Sequence, residues 1–211
     1  MIKAIFFDMD GVLIDAKDWH YDALNRALMT FGFSISRESH LSTFDGLPTK
    51  EKLNILSKVY NFPVALHGFL NDLKQQYTLE ITYQHCKPTF NHQNALSNLK
   101  KNGFSIAVCS NSIRNTIISM MSLSDLDQYI DLMLSNEDVI RSKPDPEIYL
   151  KAAHHFGLNP DECLILEDNE NGIKAAVESG CHLLKIGTPN DVTLQNIERK
   201  INEINLSISE K

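Results

Sequence analysis

Two aspartates two positions apart, Asp8 and Asp10, follow directly on the apolar run at residues 2–7. Carboxylates held this close repel each other, so the pattern favours a divalent cation between them or one protonated member. Gly11 lets the chain turn sharply away from the pair. Taken alone, the pair is either a catalytic or metal-binding group or a solvated acidic turn.

Three further polar residues, Ser110, Asn111 and Lys143, are candidates for chemistry. Ser110 and Asn111 follow the apolar run at residues 105–109, just before a predicted helix. A hydroxyl and free backbone N–H groups at a helix start make a cradle for phosphate, although serine and asparagine are also ordinary helix caps. Lys143 stands before Pro-Asp-Pro. A lone lysine is usually a solvated surface residue, but this rigid turn restricts where Lys143 points.

Glu167 and Asp168 supply two more acids after the apolar run at residues 163–166. Hard oxygen ligands of this kind suit Mg²⁺, whereas a zinc site would ask for histidine or cysteine. These two acids and the two aspartates of the first run are therefore candidate magnesium ligands.

The elements around these groups must position them. Short apolar runs alternate with amphipathic helical stretches, which is typical of a doubly wound α/β fold, a parallel sheet with helices on both faces. In such a sheet the carboxyl ends of the strands line the ligand crevice, so we expect the charged residues to meet there. The predicted strands are residues 2–7, 105–109, 131–134, 163–166 and 182–186, and the helices predicted among them are residues 91–101, 145–156 and 169–179.

One interval, between Asp15 and Cys86, breaks this alternation and contains no convincing strand. The helices predicted in it are residues 19–31, 49–60 and 63–83. We therefore expect a catalytic core formed by residues 1–16 and 86–211, with an all-helical cap inserted at residues 17–85.

The composition excludes several classes of function. A formal net charge of −7 over 211 residues argues against a nucleic-acid-binding protein, which needs a basic face. No stretch approaches the roughly 20 apolar residues of a membrane span, and the first residues do not have the pattern of a signal peptide. The four cysteines are scattered without a Cys-x-x-Cys pair, so we expect reduced thiols and a cytoplasmic protein.

Four short motifs together resemble those of the haloacid dehalogenase superfamily. They are Asp8-Met9-Asp10-Gly11-Val12-Leu13, Ser110, Lys143-Pro144-Asp145-Pro146 and Glu167-Asp168. The similarity spans the whole chain, including a helical cap after the first motif. It points to the branch that contains beta-phosphoglucomutase and many small sugar and polyol phosphatases, and it implies a Rossmann-like core.

The resemblance implies a role for each motif residue. Asp8 attacks phosphorus and becomes an aspartyl-phosphate, and Asp10 protonates the leaving alcohol and then activates water. The oxygens of the transferring group are neutralised by Ser110, the backbone N–H of Asn111 and Lys143. The implied cofactor is Mg²⁺, and its implied ligands are Asp8, the Asp10 carbonyl and Asp168, with Glu167 bound directly or through water.

The cap loop departs from the mutase pattern. Gly46 matches the family's glycine that faces the active site, but Asp45 stands where beta-phosphoglucomutases have a basic residue. Thr49 stands where they have an arginine, although Lys50 is adjacent. His20 matches a histidine near the hinge of the mutase cap, and it is otherwise a surface or packing residue. A mutase must hold a second phosphate in its cap, so these departures favour hydrolysis of a monophosphate.

The sequence thus predicts a magnesium-dependent phosphatase of a small phosphorylated metabolite, a sugar or polyol monophosphate. A phosphomutase that needs a bisphosphate activator is the alternative. A third hypothesis, a catalytically idle binding protein on the same fold, is disfavoured because every motif position keeps its chemistry. We expect no nucleic-acid or membrane partner, and a monomer or weak homodimer.

Overall fold

Five parallel strands form one sheet in the computed structural model, which describes residues 1–209. Their order across the sheet is β3-β2-β1-β4-β5. The strands are β1 (Ala4–Phe7), β2 (Ser105–Cys109), β3 (Leu132–Leu134), β4 (Cys163–Glu167) and β5 (His182–Lys185). All five predicted strands are confirmed, with small differences at their ends.

β1 lies in the middle of the sheet and is fully buried. Ile5 of β1 is in register with Ile106 of β2 on one side and with Leu164 of β4 on the other. The strand order changes direction at β1, because β2 and β3 lie on one side of it and β4 and β5 on the other. The crevice outside the carboxyl end of β1 is therefore the switch point at which such sheets bind ligands.

Helices occupy most of the remaining described chain. The first four are α1 (Lys17–Met29), α2 (Arg37–Ser39), α3 (Thr49–Tyr60) and α4 (His67–His85). The other five are α5 (Phe90–Lys101), α6 (Arg114–Leu123), α7 (Glu147–His155), α8 (Glu170–Ser179) and α9 (Leu194–Ser209). The helix predicted at residues 63–83 is divided into a 3-10 turn, Val64–Leu66, and α4. The π-helical turn His40–Phe44 and α9 are not among the predicted elements.

The strand β1 buries its side chains on both faces of the sheet. Phe7 packs in one hydrophobic cluster with Leu96 of α5 and Ile197 of α9. Phe6 points to the opposite face and packs in a second cluster with Tyr149 of α7. Helices therefore cover both faces, and the predicted doubly wound α/β fold is confirmed.

A third hydrophobic cluster lies in the segment between β1 and α5. It includes Leu28 of α1, Phe44, Leu56 of α3 and Leu70 of α4. Residues 17–85 contain helices and turns and no strand. The separate cluster supports the predicted cap, whose boundaries stay a prediction. No helix in the described part of the chain combines the length and apolarity that a bilayer span requires.

Candidate active site

Lys143 and two carboxylates form a buried ion cluster at the carboxyl edge of the sheet. Asp8 follows β1, Glu167 ends β4, and Lys143 lies in the loop before α7. The Nζ of Lys143 lies 2.7 Å from Asp8 Oδ1, 2.6 Å from Glu167 Oε1 and 2.7 Å from the carbonyl oxygen of Cys109. Parallel strand ends thus bring together three residues that are far apart in the sequence.

Burial and mutual charge determine the protonation states in this cluster. Burial, and then the charge of Glu167, raise the pKa of Asp8 well above its usual range, while Lys143 opposes this shift. Burial alone would lower the pKa of Lys143, but Asp8 and Glu167 together raise it above its ordinary value. Lys143 is therefore a permanent cation beside an aspartate whose ionisation needs further positive charge nearby.

Two other residues position Glu167. The hydroxyl of Tyr149, a fully buried residue of α7, donates a hydrogen bond to Glu167 Oε1. Gly172 of α8 leaves room for the carboxylate, since a Cβ at this position would lie 1.9 Å from Oε1. The Glu167 side chain therefore requires a glycine at position 172.

Asp8, Glu167 and Asp168 form a group that fits a divalent cation. One carboxylate oxygen from each lies within 4.8 Å of the others. Both oxygens of Asp168 are buried and, apart from an ion pair between Oδ2 and Lys17 Nζ at 2.6 Å, they have no partner within residues 1–209. Three convergent carboxylates with buried lone pairs to satisfy are the oxygen ligands that Mg²⁺ prefers.

A chain of polar contacts links Asp10 to the cap. Asp10 Oδ1 lies 2.9 Å from His20 Nε2, and Asp10 Oδ2 accepts a 2.9 Å hydrogen bond from Ser112 Oγ. His20 Nδ1 lies 3.3 Å from Lys74 Nζ. Because an ammonium group only donates, His20 accepts at Nδ1 and carries its proton on Nε2, toward Asp10. Both carboxylate oxygens of Asp10 are thereby held in place.

These contacts also set the charge of Asp10. Burial would raise its pKa, but the interactions with His20, the hydrogen bond from Ser112 and the charge of Lys74 lower it below the ordinary value. Burial lowers the pKa of His20. Near neutral pH Asp10 is therefore a carboxylate and His20 a neutral ring. An arriving phosphate dianion would raise the pKa of Asp10 toward the range of a general acid.

Ser110 and Asn111 form the turn between β2 and α6. The Oγ of Ser110 is buried and accepts a 3.0 Å hydrogen bond from the N–H of Ser112. The backbone N–H of Asn111 donates to no group in residues 1–209, which leaves it available to a ligand. The Asn111 side chain donates to the carbonyl of Gly46 at 2.9 Å and accepts from the N–H of Lys143 at 3.1 Å. It therefore ties the cap loop to the core.

The cap loop contacts the start of α8. Asn169 Nδ2 donates a 2.9 Å hydrogen bond to Asp45 Oδ2. Gly46 has a φ of +70°, and a Cβ there would lie 2.4 Å from Asn169 Oδ1, so this close approach needs glycine. Thr49 lines the cavity between core and cap, whereas Lys50 is exposed and lies outside its lining. Successive residues of a helix diverge by about 100°, which turns Lys50 away from the side that Thr49 faces.

Two lysines of the cap, Lys52 of α3 and Lys74 of α4, line the same cavity and are buried. The departures from the mutase pattern concern only the residues next to Gly46, and the cavity as a whole retains these two buried cap cations. The predicted residues that line the cavity are Asp8, Asp10, Ser110, Asn111, Lys143 and Glu167 from the core and His20, Asp45, Gly46 and Thr49 from the cap.

The two cap lysines carry a sequence signal that helical spacing reveals. Lys74 stands between Leu70 and Thr78 in a buried stripe with a period of four residues. Lys52 precedes the buried Leu56 by four positions on α3. A lysine inside the buried stripe of a helix indicates a buried charge. Among the other residues that contact the site and that the sequence did not assign to it are Lys17, Ser112, Tyr149 and Asn169.

Comparisons with known proteins agree with this geometry. A family model described as haloacid dehalogenase-like hydrolase matches residues 5–186. A Thermotoga maritima protein named phosphorylated carbohydrates phosphatase is 26% identical over 179 residues, which cover 85% of this chain and 82% of that protein. A probable pseudouridine-5'-phosphatase of Saccharomyces cerevisiae is 28% identical over 199 residues, which cover 89% of this chain and 84% of that protein.

A solved structure shows the same fold. The crystal structure of beta-phosphoglucomutase from Clostridium difficile superimposes with a TM-score of 0.84 at 24% sequence identity, and the match covers 98% of this chain and 100% of that chain. The family model covers most of the sequence, and the superfamily inferred from the four motifs is confirmed. The chain belongs to the haloacid dehalogenase-like hydrolase family.

Proposed function

We propose that this protein is a magnesium-dependent phosphatase that hydrolyses a small phosphorylated metabolite through an aspartyl-phosphate on Asp8. The observation that carries the proposal is the buried contact of Asp8 with Lys143, beside the acidic group that includes Glu167 and Asp168. A relative named for phosphorylated carbohydrates supports a sugar or polyol monophosphate as the substrate.

Asp8 is the proposed nucleophile. Lys143 pairs with its Oδ1, so Oδ2 is left to attack phosphorus. The raised pKa of Asp8 favours its protonated form, and additional positive charge nearby favours the carboxylate that attacks. Magnesium, when bound, supplies that charge and neutralises the phosphoryl oxygens. The residues proposed to hold it are Asp8, the Asp10 carbonyl and Asp168, with Glu167 bound directly or through water.

Asp10 is the proposed acid and base. In the first step it gives a proton to the leaving alcohol, and in the second it takes one from the water that attacks the aspartyl-phosphate. His20 and Ser112 hold its two oxygens, so the carboxylate is oriented before the substrate arrives. The lowered pKa of Asp10 favours the base step, and the charge of the incoming phosphate favours the acid step.

Three groups are proposed to bind the oxygens of the transferring phosphoryl group. They are the hydroxyl of Ser110, the backbone N–H of Asn111 and the ammonium group of Lys143. Ser110 is oriented by the N–H of Ser112, and Lys143 keeps its proton because its pKa is raised. Fixed donors of this kind stabilise the charge that develops as the phosphoryl group moves.

A screen of phosphorylated metabolites, assayed for released phosphate with and without Mg²⁺, tests the proposal. We expect release from at least one sugar or polyol phosphate, only with Mg²⁺, and none from the Asp8→Asn variant. Failure of every substrate in the panel, or retention of about a tenth of the activity in Asp8→Asn, contradicts it.

A phosphomutase is the second candidate, and Lys52 and Lys74 favour it because a mutase must hold a second phosphate in its cap. Phosphorus NMR of glucose 1-phosphate, with and without a hexose bisphosphate, separates the two activities. A hydrolase releases free phosphate and is not stimulated by the bisphosphate. Formation of glucose 6-phosphate faster than free phosphate identifies a mutase.

The remaining expectations also stay proposals. The four cysteines are free and buried, which agrees with a cytoplasmic protein. A monomer or weak homodimer is our prediction for the oligomeric state. A catalytically idle binding protein on this fold would bind phosphorylated metabolites in the same screen and release no phosphate from any of them.

A further inference from the structure

Lys52 is a buried lysine that the described part of the chain does not pair with an anion. Its side chain, near the start of α3, is 6% exposed and lines the cavity between core and cap. Within residues 1–209 the ammonium group makes no hydrogen bond and no ion pair, and the nearest influences on it are the charges of Asp45 and Asp10 at longer range. A lysine almost never occupies such a position unless something pairs with it.

Lys74 lies on the same side of the cavity and is 5% exposed. Its ammonium group contacts His20 Nδ1 at 3.3 Å and forms no ion pair with a carboxylate in the described part of the chain. A neutral imidazole nitrogen satisfies one of its three donors and does not neutralise its charge.

The burial of these two cations is unfavourable in the absence of an anion. Burial lowers the pKa of Lys52 to about 8, and burial together with the like charge of Lys52 lowers the pKa of Lys74 to about 7. The ring nitrogens of His40 are also buried without a partner in residues 1–209. Burial, and then the charge of Lys52, lower the pKa of His40 to about 4, so this ring stays neutral.

The acids closest to these lysines are engaged elsewhere. Asp45 Oδ2 accepts the hydrogen bond from Asn169, and the two oxygens of Asp10 contact His20 and Ser112. Neither acid forms an ion pair with Lys52 or Lys74 within residues 1–209, and their charges act on the two lysines only at longer range. Buried polar groups in folded proteins are nearly always satisfied, and a cavity-facing cation is satisfied most simply by an anionic ligand.

We propose that Lys52, assisted by Lys74, binds a second anionic group of the substrate, remote from the phosphoryl group that is transferred. The substrate class is then a phosphate monoester whose leaving group carries a carboxylate or another phosphate. This inference rests on the proposed phosphatase activity, because it names the chemistry of the leaving group. It also changes the expected substrate from a neutral sugar or polyol phosphate to an acidic one.

Matched pairs of substrates that differ in the second charge test the proposal. Phosphoglycolate is paired with hydroxyethyl phosphate, phosphogluconate with sorbitol phosphate, and a hexose bisphosphate with the hexose monophosphate. We expect kcat/KM to favour the acidic member of at least one pair by about 10- to 100-fold, the range of a charge-assisted contact. A preference in the first two pairs indicates that the second anionic group is a carboxylate, and a preference in the third pair indicates that it is a phosphate.

Variants then assign the preference to Lys52. In Lys52→Met the ratio of kcat/KM within the preferred pair should fall by about 10-fold or more, chiefly through KM for the acidic member. Lys58→Met is the matched control, because Lys58 is exposed on the same helix and its loss changes the net charge equally. The control should keep the wild-type ratio. Circular dichroism verifies that both variants are folded.

Binding measurements separate this inference from the proposed activity. Calorimetric titration of Asp8→Asn with each pair measures the preference in a protein that does not turn over substrate. The inference is overturned if the wild-type protein binds and hydrolyses the two members of every pair equally well. It is also overturned if Lys52→Met leaves the ratio of kcat/KM within the preferred pair unchanged. A third outcome is that the acidic member binds more tightly, that Lys52→Met removes this preference, and that the wild-type protein releases no phosphate. This outcome supports the anion subsite and contradicts only the phosphatase proposal.

Discussion

The core side and the cap side of the cavity differ in how they hold buried charge. On the core side Lys143 contacts two carboxylates, Asp8 and Glu167, at hydrogen-bonding distance. On the cap side Lys52 and Lys74 are about as deeply buried and pair with no carboxylate within residues 1–209. Carboxylates therefore balance the charge of the lysine on the core side, whereas none of the described residues pairs in this way with the two lysines on the cap side.

This difference separates reaction from recognition. The core charges are arranged in advance for a phosphoryl group, which every substrate of such an enzyme has in common, so one fixed cluster serves all substrates. Lys52 and Lys74 pair with no carboxylate in the described part of the chain, so a ligand that supplies an anion gains binding energy that other molecules do not. We expect substitutions in the core to abolish the reaction and substitutions in the cap to change the choice of substrate.

The largest effect is expected from Asp8→Asn. A carboxamide is a poor nucleophile, so phosphate release should fall by at least about 10³-fold while the fold is preserved. Phosphate release measures the loss, and a thermal melt followed by circular dichroism is the control. Substantial activity in a preparation free of the wild-type enzyme would show that the core side does not provide the nucleophile.

The second largest effect is expected from removal of the metal. EDTA should lower the rate by at least about 100-fold and added Mg²⁺ should restore it, because the acids of the core side require a cation before a phosphate dianion can bind. Ca²⁺ should inhibit, since its larger and looser coordination misplaces the nucleophile. A rate that is unchanged by chelation would mean that Asp8, Glu167 and Asp168 do not form a catalytic metal site.

The two buried lysines should respond in opposite ways to the same substitution. Lys143→Met leaves Asp8 and Glu167 without their cation, so the free energy of unfolding should fall by about 3–5 kcal/mol. Lys52→Met removes a buried charge that has no partner among residues 1–209, so at pH 7 the free energy of unfolding should rise by about 1–3 kcal/mol. Urea denaturation measures both changes. Changes in the free energy of unfolding that have the same sign in the two variants would refute the contrast between core and cap.

The stability gain of Lys52→Met should depend on pH. The pKa of Lys52 is about 8 in the folded protein, below its ordinary value of 10.5. Below pH 8 Lys52 is protonated in both the folded and the unfolded protein. The full free energy of burying its charge then destabilises the folded protein. Between pH 8 and pH 10.5 the unfolded protein binds more protons than the folded protein. The stability of the wild type therefore rises with pH relative to that of the variant. The gain should therefore be largest below pH 8 and vanish near 10.5. A gain that is constant with pH would mean that burial of the charge is not its cause.

The smallest effect is expected from the contact that joins cap and core. Asn169→Ala removes the hydrogen bond to Asp45, whose net contribution is about 1 kcal/mol, so KM should rise by about 3- to 10-fold. Asp45→Asn is the companion variant, because it keeps an acceptor oxygen and should change KM less. Equal KM values in all three proteins would show that this contact does not contribute to cap closure.

The core side of the site could be predicted from the sequence because its residues follow apolar runs. Asp8, Ser110 and Glu167 each stand at the end of a strand, and a parallel sheet necessarily brings such ends to one edge. The order and residue types of the motifs then indicated the chemistry. The strands themselves were predictable for the same reason, since buried parallel strands are nearly continuous apolar runs.

The cap side could not be predicted in the same way. The helical spacing of Lys52 and Lys74 indicates buried side chains, but it does not show that they border the cavity, which depends on how the cap helices pack. The partner of Asp45 is Asn169, more than one hundred residues away, and no local pattern connects them. Asp45 was expected to repel a second phosphate, whereas one of its oxygens is engaged with the core and two lysines face the cavity.

The stereochemistry of phosphoryl transfer tests the central claim most directly. The measurement uses a substrate made chiral at phosphorus by sulfur and oxygen isotopes, hydrolysed in isotopically labelled water. Transfer through Asp8 comprises two in-line displacements, each of which inverts phosphorus, so the released thiophosphate should show net retention of configuration. Net inversion would mean that water attacks the substrate directly, and it would contradict an aspartyl-phosphate on Asp8.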